Sequence, residues 1–181
     1  MDKREIILDA AERAFLTEGF RATGIDRVLA PTGVSTRTLY KNFATKEALA
    51  LAVLERRDRR FYSAMAMPPD PGGDPVQDLF TKLAHWTREE GANGCIFLRA
   101  LGEYGLRETD IAAFVEEHKR RMRALVADRV TARLGRAAPP LADRIWILFE
   151  GATASAAVAG EAVIGTAAAA ADDLMDAASR Q

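Results

Sequence analysis

At 181 residues the chain has room for one helical domain, or for a small domain joined to a larger body. Hydrophobic residues form 49% of it, ample for a core, and a net charge of −1 argues against a polycation that would adhere to any nucleic acid. Its single cysteine, Cys95, excludes an internal disulfide framework and fits a reducing cytoplasm. The charge is unevenly placed: residues 1–62 carry 12 Lys/Arg against 9 Asp/Glu, a net of +3, leaving 13 against 17, or −4, for the rest. The N-terminus has no signal-like apolar run. Gly151–Ala171 approaches membrane length, but it is mostly Ala and Gly with Glu161 at its centre, so it reads as close-packed helix in a cytoplasmic protein without a membrane span.

Spacing of 3.6 residues dominates and alternating β-branched stretches are few, which predicts an all-α fold. The first helix runs from about Lys3 to Glu18, opened by Asp2 and Glu5 as a capping box and stopped by Gly19, with Ile7, Ala11, Ala14 and Phe15 on one face. Thr23 is expected to cap a short second helix, closed by Pro31 and Gly33, and Ser35 to cap a third that ends near Tyr40 or Lys41. Thr45 then caps a long fourth. Pro68 to Gly73 is the clearest break. Asp74-Pro75-Val76-Gln77 opens a fifth helix that buries Val76, Leu79, Phe80, Leu83 and Trp86. Gly91 to Gly94 ends it, and a short sixth starts near Cys95. A seventh covers about Thr109 to Leu134, an eighth runs from Pro139-Pro140 to about Gly160, and an Ala-rich ninth ends near Ser179.

Thr23 to Lys46 carries the functional signal. Two short helices meet around Gly33, an arrangement suited to laying the second in the major groove of DNA. Val28, Leu29, Val34 and Leu39 point inward, leaving Ser35, Thr36, Arg37, Thr38, Tyr40 and Lys41 on or near the exposed side. Arg37 has the reach for a bidentate bond to a guanine edge, and the Thr methyls suit thymine. Tyr40, Lys41, Lys46 and the Thr23 hydroxyl suit phosphate. The helix N-terminus at Thr45–Lys46 attracts an anion.

These residues resemble the TetR/AcrR family of bacterial transcriptional regulators. Ile7-Leu8-Asp9-Ala10-Ala11, Phe15, Gly19-Phe20, Thr23, Val28, Gly33-Val34-Ser35, Thr38-Leu39-Tyr40, Phe43 and Lys46-Glu47-Ala48-Leu49 follow that family's order and spacing over about residues 5–50. The resemblance implies about nine helices, with a three-helix helix-turn-helix domain over 1–50 and a larger effector-binding and dimerisation domain over 51–181. It also implies a homodimer held by the last two helices, and repression at a palindromic operator relieved by a small ligand. Three positions depart from the family: Leu29 where a small residue is usual, Pro31 where the second helix normally continues, and Arg37 in place of a frequent Gly. Pro31 predicts an early end or a kink in the second helix.

In the body, His118 shares a helical face with Phe114, Val115 and Met122. It is either an ordinary core histidine or a polar anchor in an apolar ligand cavity, which Trp86, Phe97, Leu101, Tyr104, Trp146 and Phe149 would help to line. His85 falls off its helix's apolar face. Cys95 reads as packing, with redox sensing the alternative, and the basic run from His118 to Arg123 as a solvated face. Gly151, Ala152, Ser155, Ala156, Ala159, Thr166, Ala167 and Ala170 would let the last two helices pack closely across a two-fold axis. No HExxH, CxxC, phosphate loop or nucleophile elbow occurs, so neither an enzyme nor a metal or other cofactor is expected. The other reading is a small-molecule binding or architectural DNA-binding protein without a specific operator.

Overall fold

A computed structural model describes residues 2–105 and 109–180, and among them every regular element is helical. Nine helices follow in order: α1 (Lys3–Glu18), α2 (Ile25–Leu29), α3 (Thr36–Asn42), α4 (Lys46–Ala66), α5 (Pro75–Glu90), α6 (Ile96–Tyr104), α7 (Thr109–Leu134), α8 (Pro139–Ala159) and α9 (Ala162–Ser179). Local capping chemistry explains several of these ends. Asp2 accepts from the Arg4 amide, Thr45 Oγ1 from the Ala48 amide, and Asp74 Oδ1 from both the Val76 and Gln77 amides. Each such cap stabilises by about 1 kcal/mol.

Two expected capping boxes are only half realised. Glu5 turns to Arg4 and Arg56, and Gln77 donates its amide to the Ala168 carbonyl of α9 at 2.9 Å. Tertiary partners compete successfully for both side chains. α2 stops at Leu29, where the Ala30 amide closes the last turn on Asp26, two residues before Pro31. A proline further along the helix would remove a donor and press on the carbonyl one turn back.

By compactness the chain divides into residues 1–59 with 96–117, and residues 60–95 with 118–181. This draws a different line from the expected 1–50 and 51–181, because residues 51–59, α6 and the start of α7 group with the N-terminal helices. In the first unit Ile7, Leu8, Ala11, Phe15, Phe20, Val28, Leu39, Phe43, Leu49 and Val53 are buried. Phe15 stacks on Phe20 with ring centroids 4.8 Å apart. Glu12, itself buried, binds Arg56 at 2.6 Å and Arg57 at 2.8 Å, fastening α1 to α4.

The second unit holds one continuous core, with Met65, Leu79, Phe80, Leu83, Met122, Val126, Val130, Ile145, Phe149, Ile164 and Met175 buried in it. Burying a side chain of this size contributes about 1.5–3 kcal/mol. Arg133 ties its elements together at the rim, bonding Asp74 at 2.9 Å, Asp172 at 2.8 Å and Asp176 at 2.6 Å. Arg129 and Lys82 both donate to the Met67 carbonyl just past the end of α4, where bare carbonyls favour cations.

Candidate nucleic-acid interface

The turn between α2 and α3 is built by Thr32 and Gly33. The Thr32 hydroxyl donates to the Leu29 carbonyl at 2.7 Å and accepts from the Val34 amide at 3.0 Å. Gly33 has φ +66, a left-handed conformation that costs a residue with Cβ roughly 1–2 kcal/mol. Ser35 then caps α3, its Oγ taking the Thr38 amide at 3.3 Å and lying 3.0 Å from Thr38 Oγ1.

Once α3 begins, Leu39 fixes its orientation. That side chain is fully buried, so positions 37 and 41 lie opposite it and position 40 on the flank, while Thr36 stands open in the first turn. Thr36, Arg37 and Lys41 are exposed, and Tyr40 is 49% exposed despite its size. Ser35 is exposed and Thr38 half-buried, with their hydroxyls engaged on one another. The outer side thus offers one guanidinium, one ammonium, one phenol and a Thr methyl on a short, rigid rod.

Lys46, half-buried at the start of α4, donates from Nζ to the Arg21 carbonyl at 3.0 Å. Burial holds its ammonium below the usual lysine value of 10.5, with Glu47 and Glu103 pulling the other way. An ammonium has three N–H groups, so the Arg21 bond fixes its position and leaves two donors.

Thr23 corrects the sequence expectation. It is fully buried, and its hydroxyl donates to the Gly19 carbonyl at 2.6 Å, with the Ala14 carbonyl at 3.4 Å. The N-cap of α2 is Gly24. A hydroxyl locked beneath the α1–α2 corner has no path to a phosphate, so Thr23 is a structural pin.

The eight residues expected to line a cavity divide between the two compact units. Trp86 and His118 both pack on Phe61, at 5.1 Å and 6.0 Å between ring centroids, and His118 is only 2% exposed. Phe149 meets Phe80 at 6.0 Å in the core of that unit, and Trp146 is half-buried with Arg123 5.9 Å from its ring centroid. Phe97, Leu101, Tyr104 and Phe114 belong to the other unit. There Tyr104 packs edge-on to Phe20 at 5.8 Å and carries the Arg21 guanidinium over its ring.

The basic run from His118 to Arg123 is largely engaged within the protein. Lys119 bonds Glu150 at 2.5 Å, Arg121 lies 4.1 Å from the Tyr62 ring centroid, and Arg123 pairs with Asp143 at 2.7 Å. Lys119 Nζ also lies 3.3 Å from Cys95 Sγ. His85 is exposed, as its position off the apolar face implies. Among the described residues no group of three or more His, Cys, Asp or Glu is placed to hold a metal ion, and no helix is long and apolar enough to cross a membrane.

Sequence reasoning passed over Arg21, Thr32, Phe61 and Glu103. Thr32 had a local signal, a hydroxyl one residue before the turn glycine. Glu103 had none, because its partner Arg21 lies 82 residues away.

A family model described as "Bacterial regulatory proteins, tetR family" matches residues 7–53. Curated relatives include the HTH-type transcriptional activator FasR of Mycolicibacterium smegmatis, 40% identical over 55 residues, which are 30% of this chain and 25% of that one. The HTH-type transcriptional repressor ComR of Escherichia coli K12 is 30% identical over 100 residues, 52% of this chain and 48% of that one. The chain thus spans a quarter to a half of these two relatives' own length. Along the whole chain the structure superposes on SCO4454, a TetR-family transcriptional regulator from Streptomyces coelicolor, with a TM-score of 0.88 and 26% identity, covering 98% of this chain and 96% of that one. These relatives are named as regulators, not enzymes. With the turn, the buried Leu39 and the outward α3 all lying inside the matched stretch, residues 7–53 form a domain of the tetR family of bacterial regulatory proteins, and the chain as a whole has the fold of a TetR-family regulator.

Proposed function

We propose that the protein is a DNA-binding transcriptional regulator in which residues 1–50 read double-stranded DNA and residues 51–181 respond to a small molecule and dimerise. The observation that carries this reading is the outward side of α3, which presents Arg37, Tyr40 and Lys41 while Leu39 anchors the opposite side. Arg37 reads a base edge, Thr36 contributes a methyl contact, and Tyr40, Lys41 and Lys46 hold phosphates. Ser35 and Thr38 shape the N-terminal turn and lie close enough to the surface to assist.

Two copies joined through α8 and α9 would present two α3 helices. The support is an apolar groove lined by Ile147, Leu148, Ala170 and Leu174 and edged by Arg144 and Asp173. Ile147 is 61% exposed and Val158 94% exposed, while Gly151 between them opens on empty space. Ala152 and Ala156, by contrast, are buried within the chain. A two-fold pair sets half-sites about one DNA turn apart, or a small multiple of it.

The effector site is proposed around Trp86, Phe61 and His118, where an ionisable ring sits among aromatic surfaces. A ligand there acts on operator affinity only if it binds one α3 spacing better than another. The direction of control proposed here is repression released by ligand. Footprinting on the DNA flanking the protein's own gene is the test. Protection of a palindrome is expected, and protection without sequence preference would favour the architectural reading.

A further inference from the structure

α6 delivers two opposite charges to the corner where α1 turns into α2. Arg99 Nη1 donates to the Leu16 carbonyl at 2.7 Å and approaches that of Phe15 at 3.4 Å, covering the bare carbonyl end of α1. One turn further along α6, Glu103 Oε2 accepts the Arg21 backbone amide at 2.7 Å, and the Glu103 carbonyl accepts Arg21 Nε at 2.5 Å. The Arg21 guanidinium lies 5.2 Å from the Tyr104 ring centroid. Gly19 makes room for this contact: a Cβ there would stand 2.8 Å from Glu103 Oε1.

Residue 21 is therefore held at its amide by α6, and its carbonyl receives Lys46 Nζ at 3.0 Å. The order of contacts runs from the Glu103 carboxylate through the Arg21 backbone, amide on one side of its Cα and carbonyl on the other, to the Lys46 ammonium. Resting on the DNA-binding reading above, we propose that Glu103 is a positioning residue for the nucleic-acid interface, setting through Arg21 where Lys46 presents its two remaining donors to a DNA phosphate. Displacing α6 from the corner then removes one backbone contact without touching α3. The positioning comes from the hydrogen bond to the Arg21 amide; the Glu103 charge also acts on the Lys46 ammonium, but it is unfavourable beside a phosphate.

A salt titration separates these roles. Binding to a mixed-sequence duplex is measured from roughly 50 to 200 mM salt for wild type, Glu103→Ala, Glu103→Gln, Lys46→Ala and the Glu103→Ala/Lys46→Ala double variant. Lys46→Ala and Glu103→Ala each lower the salt slope by about 1, and the double variant also by about 1 rather than about 2. Glu103→Gln keeps an acceptor for the Arg21 amide and retains the wild-type slope. An unchanged slope in Glu103→Ala, an additive double variant, or Gln behaving like Ala overturns the positioning role. Wild type that binds no duplex at low salt sinks the DNA reading itself, which is a separate outcome. Hydrogen exchange gives a measure independent of the alanine variant's folding. The Arg21 amide is protected in wild type and in Glu103→Gln, and exchange there at the rate of an open turn overturns the proposal.

Discussion

Replacing Glu12 with alanine removes the carboxylate on which two guanidiniums of α4 converge. The three side chains are 7%, 14% and 6% exposed for Glu12, Arg56 and Arg57, so little water is present to take over. Arg56 keeps Asp9 at 2.6 Å and Glu5 at 3.3 Å, whereas Arg57 loses a buried bond of 2.8 Å. Burial opposes the charge on Arg56, yet its bonds to Glu12 and Asp9 outweigh burial and hold the guanidinium above its ordinary range. Breaking a buried pair by deleting one partner costs about 3–5 kcal/mol, against a whole-domain stability of about 5–15 kcal/mol. Glu12→Gln preserves shape and one acceptor, and is expected to cost less, about 1–3 kcal/mol. Urea unfolding followed by helical circular dichroism reads both values. At about 2–4 °C for each kcal/mol the alanine variant also melts well below wild type. If both variants unfold within about 0.5 kcal/mol of wild type, as ordinary surface changes do, the claim that Glu12 fastens α1 to α4 is refuted.

Thr23→Val leaves the Gly19 carbonyl without its hydroxyl donor and is expected to cost about 1–3 kcal/mol in urea unfolding, while the salt slope of DNA binding stays at the wild-type value. A reduced slope would return Thr23 to the phosphate contacts. Lys46→Ala weakens binding to all duplexes and lowers that slope by about 1, whereas Arg37→Ala relaxes preference at one base position at a cost of roughly 1–3 kcal/mol. Wild-type behaviour of both in a salt and sequence titration would remove α3 and the start of α4 from the interface. Asp143 is held below the ordinary carboxylate value of 3.8, first by its hydrogen bond from Arg123. A depressed folded pKa means that its contribution to stability is present above the unfolded value and is lost as pH falls through the folded one. Carboxyl titration by NMR should show a lowered midpoint that moves up in Arg123→Ala; no movement contradicts the pairing. Ile147→Asp places a charge in the apolar groove of α8 and α9, and light scattering should then show a smaller species than wild type; equal masses would place self-association elsewhere.

Much of the fold was legible because local chemistry fixes it. Asp74 before Pro75 and Ser35 before α3 are caps whose partners lie two or three residues away, and the helix ends at Glu18, Leu134 and Ser179 follow the periodic pattern to its last apolar turn. The outward side of α3 was also readable, since Leu39 alone decides which way a seven-residue helix faces. What the sequence hid depends on distant partners. Gln77 looks like half a capping box until α9 supplies the Ala168 carbonyl, and Thr23 looks like a cap until the end of α1 and the Gly19 corner place two carbonyls beneath it. Glu103 is one acidic residue on a short helix until the fold brings the Arg21 amide to it. The aromatic residues of the body were recognisable as apolar, but their type does not say which compact unit each joins. Phe97 and Tyr104 went to one and Trp86 and Phe149 to the other.

Methylation interference on a protected DNA fragment tests the central claim most directly, because guanine N7 lies in the major groove and adenine N3 in the minor groove. With α3 seated in the major groove and Arg37 at a guanine edge, N7 methylation of one guanine in each half-site should abolish binding in the wild type and lose its effect in Arg37→Ala. Binding that tolerates N7 methylation throughout and is blocked by adenine N3 methylation would contradict the account.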